Sequence, residues 1–96
     1  MAIEVRLFGE LVRAAGAKEI PIDEPIETVR DLIELLLRKR PNLSSFLSEE
    51  NVRSGRLIIL VNGHSIKMID GMETRLLSGD VISIERIEIL QTVGGG

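Results

Sequence analysis

Three consecutive glycines, Gly94, Gly95 and Gly96, form the end of the sequence and are the residues with the clearest chemical potential. Because glycine has no side chain, such a terminus can enter a channel too narrow for other residues and adopt the backbone conformation that the channel imposes. The reactive group is then the C-terminal carboxylate of Gly96, with Gly94 and Gly95 in the channel behind it. The alternative interpretation is a flexible linker or a frayed end.

Side chains that commonly catalyse reactions are scarce in the rest of the sequence. His64 is the single histidine, and it follows a predicted turn with no evident catalytic helper. The acidic pairs Asp23 with Glu24 and Glu49 with Glu50 lie in predicted loops, where solvated carboxylates are ordinary. The absence of cysteine excludes disulfides, thiolate nucleophiles and thiolate metal sites. We therefore expect no enzymatic activity, no metal site and no bound cofactor.

Composition and charge narrow the class of protein further. A chain of 96 residues with 44% hydrophobic residues is expected to form one globular domain, here residues 1–93, followed by a flexible tail over 94–96. A net charge of −3 gives no electrostatic reason to bind nucleic acid or an anionic membrane. The sequence contains no apolar run long enough for a membrane span and no signal-peptide pattern, so we expect a cytoplasmic protein.

The beginning of the sequence predicts a β-hairpin. Apolar residues alternate with other residues over 2–8, which is typical of a half-buried strand. Residues 10–17 are small or polar and predict a short connection. A second strand over 18–22 is expected to return antiparallel to the first.

A helix is predicted over residues 28–40. Thr28 and Asp31 resemble a capping box at its start, and Pro41 ends it. The apolar residues between them recur at helical spacing: Val29, Leu32, Ile33, Leu36 and Leu37. The following segment, 42–55, predicts a loop with a short helical turn that tucks its apolar residues under this helix.

Two further strands are predicted around a tight turn. The continuous apolar run over 57–61 is typical of a central strand buried on both faces. Asn62 and Gly63 form the strongest turn signal in the sequence and predict a reversal into a short strand over 65–69.

The last predicted strand covers residues 81–90. Its isoleucines fall into two phases, with Ile82 and Ile84 in one and Ile87 and Ile89 in the other. A change of phase indicates a β-bulge, or an end to the strand pairing, near residues 85–86.

This order of elements predicts an α+β fold in which one main helix packs on one face of a mixed sheet of four to five strands. The ubiquitin-like β-grasp is the natural candidate. Its first and last strands lie side by side in the middle of the sheet, and its C-terminus leaves the domain as an extended tail.

A terminal carboxylate reacts only after activation, because its leaving group would be oxide. Transfer to AMP from ATP is the most economical activation, and a partner enzyme must supply it. The adenylated carbon can then accept a sulfide equivalent to give a thiocarboxylate. Alternatively, it can pass through a thiol to a lysine amine and form an isopeptide bond.

Five segments together resemble the small subunit of molybdopterin synthase and its relatives, which include the thiamine-pathway sulfur carrier and archaeal small ubiquitin-like modifiers. The segments are residues 3–9, 28–40, 60–63, 77–81 and 94–96. The resemblance implies a β-grasp fold and a terminus that a ubiquitin-activating-type enzyme adenylates with ATP. It also implies a thiocarboxylate that donates sulfur to a pterin precursor, with the large subunit of molybdopterin synthase as a partner.

Two features depart from the molybdopterin synthase subunit. Residues 89–93 replace an aromatic and proline-containing stretch, and the sequence has three terminal glycines where most relatives have two. A carrier for another pathway, a protein modifier that forms isopeptides, and a binding module with an incidental tail therefore stay open as alternatives.

A docking surface is predicted beside the tail. Ile87 and Ile89 are expected to point away from the helix-covered face of the sheet, and Phe8 on the neighbouring first strand is expected to join them. Exposed apolar clusters usually mark interaction sites. The alternative is a bulge that keeps both isoleucines in the core.

Overall fold

Five strands form the centre of the molecule, and the computed structural model describes residues 2–87. The strands follow the predicted order along the chain: β1 Ile3–Leu7, β2 Glu19–Ile22, β3 Leu57–Val61, β4 His64–Ser65 and β5 Val81–Arg86. The predicted domain boundary at residue 93 lies outside the described residues.

The strands form one mixed sheet in the order β2-β1-β5-β3-β4. β1 and β2 are antiparallel, which confirms the predicted hairpin, and Val5 pairs with Ile20. β1 and β5 run parallel in the middle of the sheet, where Val5 also lies beside Ile82. The first and last strands are therefore neighbours, as the predicted fold requires.

The connection after β1 is a helix rather than the predicted loop. α1 spans Glu10–Ala15 and ends at Gly16, whose φ of 74° is the left-handed conformation that glycine adopts readily. Leu11 and Ala15 lie four residues apart and are both buried. Six residues give only one such pair, which is too little periodicity for the sequence to indicate a helix.

The main helix agrees with its prediction. α2 spans Val29–Lys39, and Thr28 with Asp31 forms the capping box at its start. The predicted stripe faces the core, with Leu37 only partly buried and Leu35 buried in addition. The α2 stripe thus packs against the helix-covered face of the sheet.

The segment after α2 contains two short helices. A 3-10 helix spans Pro41–Ser45, and α3 spans Glu49–Arg53. The apolar residues that this segment buries are Leu43, Leu47 and Val52. The predicted tucking of apolar residues is confirmed, although the segment holds more helix than one turn.

The prediction that β3 is buried on both faces is wrong. Ile59 is 1% exposed, whereas Ile58 is 36% exposed and Leu60 is half-buried. The reason is the layer architecture, because the helices cover one face of the sheet and leave the β3 residues of alternate phase on the other. β3 also lies next to the edge strand β4 rather than at the centre.

The turn after β3 agrees with its prediction, but the strand that follows it is shorter than expected. Asn62 and Gly63 have φ values of 51° and 87°, the positive angles that such a hairpin turn requires. β4 pairs with β3 over only two residues. The remainder of the predicted strand is a 3-10 helix, Ile66–Met68, which buries Ile66.

β5 contains no bulge within its described residues. Its antiparallel register with β3 is continuous from Val61 beside Ile82 to Leu57 beside Arg86, and Ile82 and Ile84 are fully buried. The ordinary two-residue alternation therefore accounts for the phase of Ile87. The second predicted explanation, an end to the strand pairing, is not tested, because the Ile87 N–H still bonds to Arg56 and the residues after Ile87 lie outside the described part of the chain.

Candidate functional site at the end of β5

The described chain ends beside β3, at the point from which the predicted reactive tail continues. The backbone N–H of Ile87 donates a hydrogen bond of 2.8 Å to the carbonyl oxygen of Arg56, just before β3 begins. Gly94, Gly95 and Gly96 lie outside the described residues. Their predicted role at the terminus therefore stays a prediction.

The last residue of β5 also contacts the helical layer. Arg86 Nη1 donates to both carboxylate oxygens of Glu10 at 2.8 and 2.7 Å. The Arg86 guanidinium carbon lies 5.6 Å from the centre of the Phe46 ring, a cation–π distance. Sequence reasoning missed this arrangement, because nothing local connects residues 76 positions apart.

The predicted docking residues occupy different environments. Phe8 follows β1 directly and is 40% exposed, whereas the preceding Leu7 is fully buried. Ile87 is half-buried, and the alternation of β5 places it on the side opposite Ile82. Ile89 lies outside the described residues. The role of all three in binding a partner stays a prediction.

Two more apolar residues share the uncovered face and were missed by sequence reasoning. Ile58 pairs with Glu85, and Leu60 pairs with Ser83. Because Glu85 precedes Ile87 by two residues, Ile58 and Ile87 are diagonal neighbours on adjacent strands. We call Phe8, Ile58, Leu60 and Ile87 the outer-face patch. The sequence did not indicate the exposure of Ile58 and Leu60, because the continuous apolar run over 57–61 predicted burial on both faces.

Charged groups on the same face are also paired. Arg6 Nε lies 2.6 Å from a carboxylate oxygen of Glu4, and the pKa of Arg6 is raised because Glu4 accepts this hydrogen bond. Both residues lie on β1, next to the β5 residues Ser83 and Val81 in the parallel register. A polar pair thus borders the outer-face patch on the β1 side.

A glutamate of each acidic pair forms an ion pair. Glu24 pairs with Lys39 at 2.5 Å, and this hydrogen bond lowers the pKa of Glu24. Glu49 accepts hydrogen bonds from Arg30, which lower the pKa of Glu49. These contacts connect surface segments and favour the ionised form of each carboxylate.

Two further features of the described residues bear on chemistry, the single histidine and the potential metal ligands. His64 is an exposed residue of the short strand β4. Within residues 2–87, no three potential ligands are grouped closely enough to hold a metal ion. Every buried side-chain nitrogen or oxygen in this region has a hydrogen-bond partner, including that of Thr74. No helix described here has the length and apolarity needed to cross a membrane.

The sheet order β2-β1-β5-β3-β4 and the single main helix on one face of the sheet define a ubiquitin-like β-grasp fold. The ThiS family matches residues 5–96, and the chain belongs to this family. The match includes the glycine terminus as well as the folded domain.

Individual relatives support the same class. A protein of Archaeoglobus fulgidus, provisionally named a sulfur carrier protein, is 34% identical over 97 residues and covers 100% of both chains. The solution structure of small archaeal modifier protein 1 from Methanosarcina acetivorans is 32% identical, with a TM-score of 0.76 over 99% of this chain and 96% of that one. A chain in the complex of subunits 1 and 2 of the molybdopterin-converting factor from Helicobacter pylori is 27% identical. Its TM-score is 0.60, with 94% of this chain and 99% of that one covered.

These similarities confirm the fold and the family that the sequence resembled. They come from proteins with two kinds of name, sulfur carrier and modifier. The family therefore fixes a small protein of carrier or modifier type, and the finer chemistry is a separate question.

Proposed function

We propose that this protein is a sulfur carrier whose C-terminal glycine carboxylate is activated by a partner enzyme and converted to a thiocarboxylate. The observation that carries the proposal is the family match, which extends through Gly94, Gly95 and Gly96. Full-length similarity to a protein named as a sulfur carrier supports it.

The chemistry proceeds in two steps at Gly96. In the first, a carboxylate oxygen attacks the α-phosphorus of ATP, an acyl adenylate forms, and pyrophosphate leaves. In the second, a sulfide equivalent attacks the acyl carbon and expels AMP, which leaves a thiocarboxylate. ATP belongs to the partner, a ubiquitin-activating-type adenylating enzyme, and the chain contributes the carboxylate and the surface that docks it.

The proposed destination of the sulfur is a pterin precursor in molybdopterin biosynthesis. The similarity to a chain in a molybdopterin-converting factor complex supports this pathway. The corresponding partner here is the large subunit of molybdopterin synthase. The outer-face patch next to the tail is the surface we assign to this contact, because it exposes apolar side chains beside the end of β5.

A second candidate function is protein modification. Similarity to a small archaeal modifier protein favours it, since that relative covers nearly the whole chain. In this case a lysine amine attacks the activated carbon of Gly96, an isopeptide bond forms, and the activating group leaves. The two functions share the adenylation step and differ only in the nucleophile that follows.

In both cases the chain is acted upon and supplies no catalytic group of its own. Adenylation consumes ATP, so we expect the protein to work in the cytoplasm. A saturable reaction that survived deletion of the glycines but was lost in His64→Ala would contradict this view.

Adenylation can be tested by ATP–pyrophosphate exchange with the cognate activating enzyme. Deletion of Gly96 shortens the tail by one residue, and addition of one leucine after it lengthens the tail and adds a side chain. Either change should abolish exchange, because the terminal carboxylate is no longer held at the reacting position. Addition of the same leucine at the N-terminus is the matched control and should leave exchange unchanged. Undiminished exchange in the protein extended after Gly96 would leave the tail incidental, as in a simple binding module.

A further inference from the structure

The end of β5 has one strand neighbour, although β5 lies in the middle of the sheet. β1 pairs with β5 only as far as Ile84, whereas β3 continues to Arg86, and the N–H of Ile87 still bonds to the carbonyl of Arg56. The last described residues of β5 therefore lack a backbone partner on the β1 side. This is the point from which the chain continues toward Gly96.

Glu10 contacts the end of β5 from the helix-covered side of the sheet. α1 begins at Glu10, immediately after the turn that ends β1. Its carboxylate accepts both hydrogen bonds from Arg86 Nη1, at 2.8 and 2.7 Å. Charge-assisted hydrogen bonds of this length are among the stronger polar contacts available at a partly exposed site. The pair thus connects α1 to the last residue of β5.

Phe46 supports the same arginine from a third segment. Its ring is partly buried against the core, and the Arg86 guanidinium lies over it at 5.6 Å. Arg86 is therefore held by β3 through the backbone and by Glu10 and Phe46 through its side chain. Three separate segments fix the final residues before the tail.

We infer that Glu10 and Arg86 are positioning residues that set the direction in which the tail leaves the domain. The inference rests on the proposed function, because the direction of the tail matters when a partner must receive the Gly96 carboxylate. A preset direction lowers the conformational entropy lost on binding. Once the tail is seated, the partner's channel holds the carboxylate, so loss of the pair should raise KM for this protein and leave kcat unchanged.

The experiment compares Glu10→Gln, Arg86→Gln and the exchanged pair Glu10→Arg with Arg86→Glu. Glu73→Gln is the matched control, because it removes an exposed ion-pair partner, at 2.9 Å, of Arg30 on α2 and leaves the contact of Glu10 with Arg86 intact. Two quantities are measured: hydrogen exchange of the Ile87 amide in the free protein, and KM with kcat in ATP–pyrophosphate exchange. Thermal unfolding confirms that each variant is folded.

Each single variant should accelerate exchange of the Ile87 amide and raise KM by about two- to fivefold, the range for a partly exposed ion pair. The exchanged pair should recover part of both effects, because it restores the ion pair but not the contact of Arg86 with Phe46. Glu73→Gln should show neither effect. If Glu10→Gln changed neither the exchange of the Ile87 amide nor KM, the inference would be overturned. A raised KM of Arg86→Gln without faster exchange of the Ile87 amide would also overturn it, because Arg86 would then act on the partner directly.

The two readouts separate this inference from the proposed function. Hydrogen exchange of the Ile87 amide is measured in the free protein, without a partner enzyme. Its rate therefore decides whether Glu10 and Arg86 hold the end of β5. Failure of the unaltered protein to support ATP–pyrophosphate exchange would count against the proposed function alone.

Discussion

Thr28 and Asp31 stabilise the first turn of α2 through reciprocal hydrogen bonds. Thr28 Oγ1 accepts from the N–H of Asp31 at 3.3 Å, and Asp31 Oδ2 accepts from the N–H of Glu27 at 3.0 Å and of Thr28 at 3.2 Å. These bonds satisfy donors that the start of a helix leaves unpaired. We expect Thr28→Ala to lower the free energy of unfolding by about 1 kcal/mol, measured by urea denaturation. Thr28→Ser is the control and should retain most of the stability.

The same carboxylate makes stability depend on pH. The pKa of Asp31 is lowered below its ordinary value of 3.8, first by the hydrogen bond from the Glu27 amide and then by that from Thr28. A carboxyl group whose pKa is lowered by folding stabilises the folded protein fully at pH values above the pKa that the group has in the unfolded chain. This contribution is lost as the pH falls through the pKa that the group has in the folded protein. The Asp31 contribution is therefore present at neutral pH and disappears below 3.8.

Asp31→Asn tests this linkage. The variant should be less stable than the unaltered protein at pH 7, and the difference should shrink as pH falls below 3.8. Urea denaturation across this range gives the difference directly, and subtraction removes the similar contributions of Glu24 and Glu49. A stability difference between the two proteins that stays constant with pH would contradict the pH-dependent contribution of Asp31.

At the scale of elements, β3 shows which face of the sheet is free for a partner. Ile58 and Ile59 are consecutive, yet one is 36% exposed and the other 1%. We expect Ile58→Asp to lower the free energy of unfolding by less than about 1 kcal/mol. Ile59→Asp should lower it by several kcal/mol, since this change buries an unpaired charge. Thermal unfolding compares them, and equal losses would mean that both faces of β3 are covered.

The end of β5 is the element at which docking is predicted. Ile87→Asp should weaken binding to the activating enzyme or to the larger synthase subunit by about 1–3 kcal/mol, the range for a moderate interface hot spot. Leu77→Asp is the matched control, because Leu77 is 69% exposed and precedes the opposite end of β5. Partner titration and thermal unfolding are measured together. A large loss of stability in Ile87→Asp would place Ile87 in the core and remove it from the patch.

Local signals explain which elements the sequence could predict. α2 combines a capping box, helical spacing and a terminal proline, so its bounds were predicted to within one residue. α1 has only Leu11 and Ala15 as a buried pair and was missed. The one-sided burial of β3 depends on what covers the sheet, which an apolar run does not indicate.

The candidate site was predictable to a smaller extent. The glycine terminus is visible in the sequence, and Phe8 was expected to be exposed from its phase relative to Leu7. The contact between Glu10 and Arg86 spans 76 positions and follows only from the parallel pairing of β1 with β5. Ile58 joined the outer-face patch only after the covered face was known.

At the scale of the whole molecule, folding and chemistry involve different parts of the chain. Residues 2–87 form an aliphatic core without disulfides, and the central strand β5 continues toward the glycines. In our proposal, the domain presents its terminus to a partner, and the partner supplies ATP, sulfur and catalysis. This division explains how so small a protein can take part in a difficult acyl activation.

The most direct test of the sulfur-carrier proposal is the intact mass of the protein isolated from its native cell. We expect a species in which one oxygen is replaced by sulfur, assigned by fragmentation to Gly96 and absent when Gly96 is deleted. Isolation of only the carboxylate form from cells that contain the active partner enzyme would contradict the proposal. Lysine-linked conjugates in place of the thiocarboxylate would assign the protein to the modifiers instead.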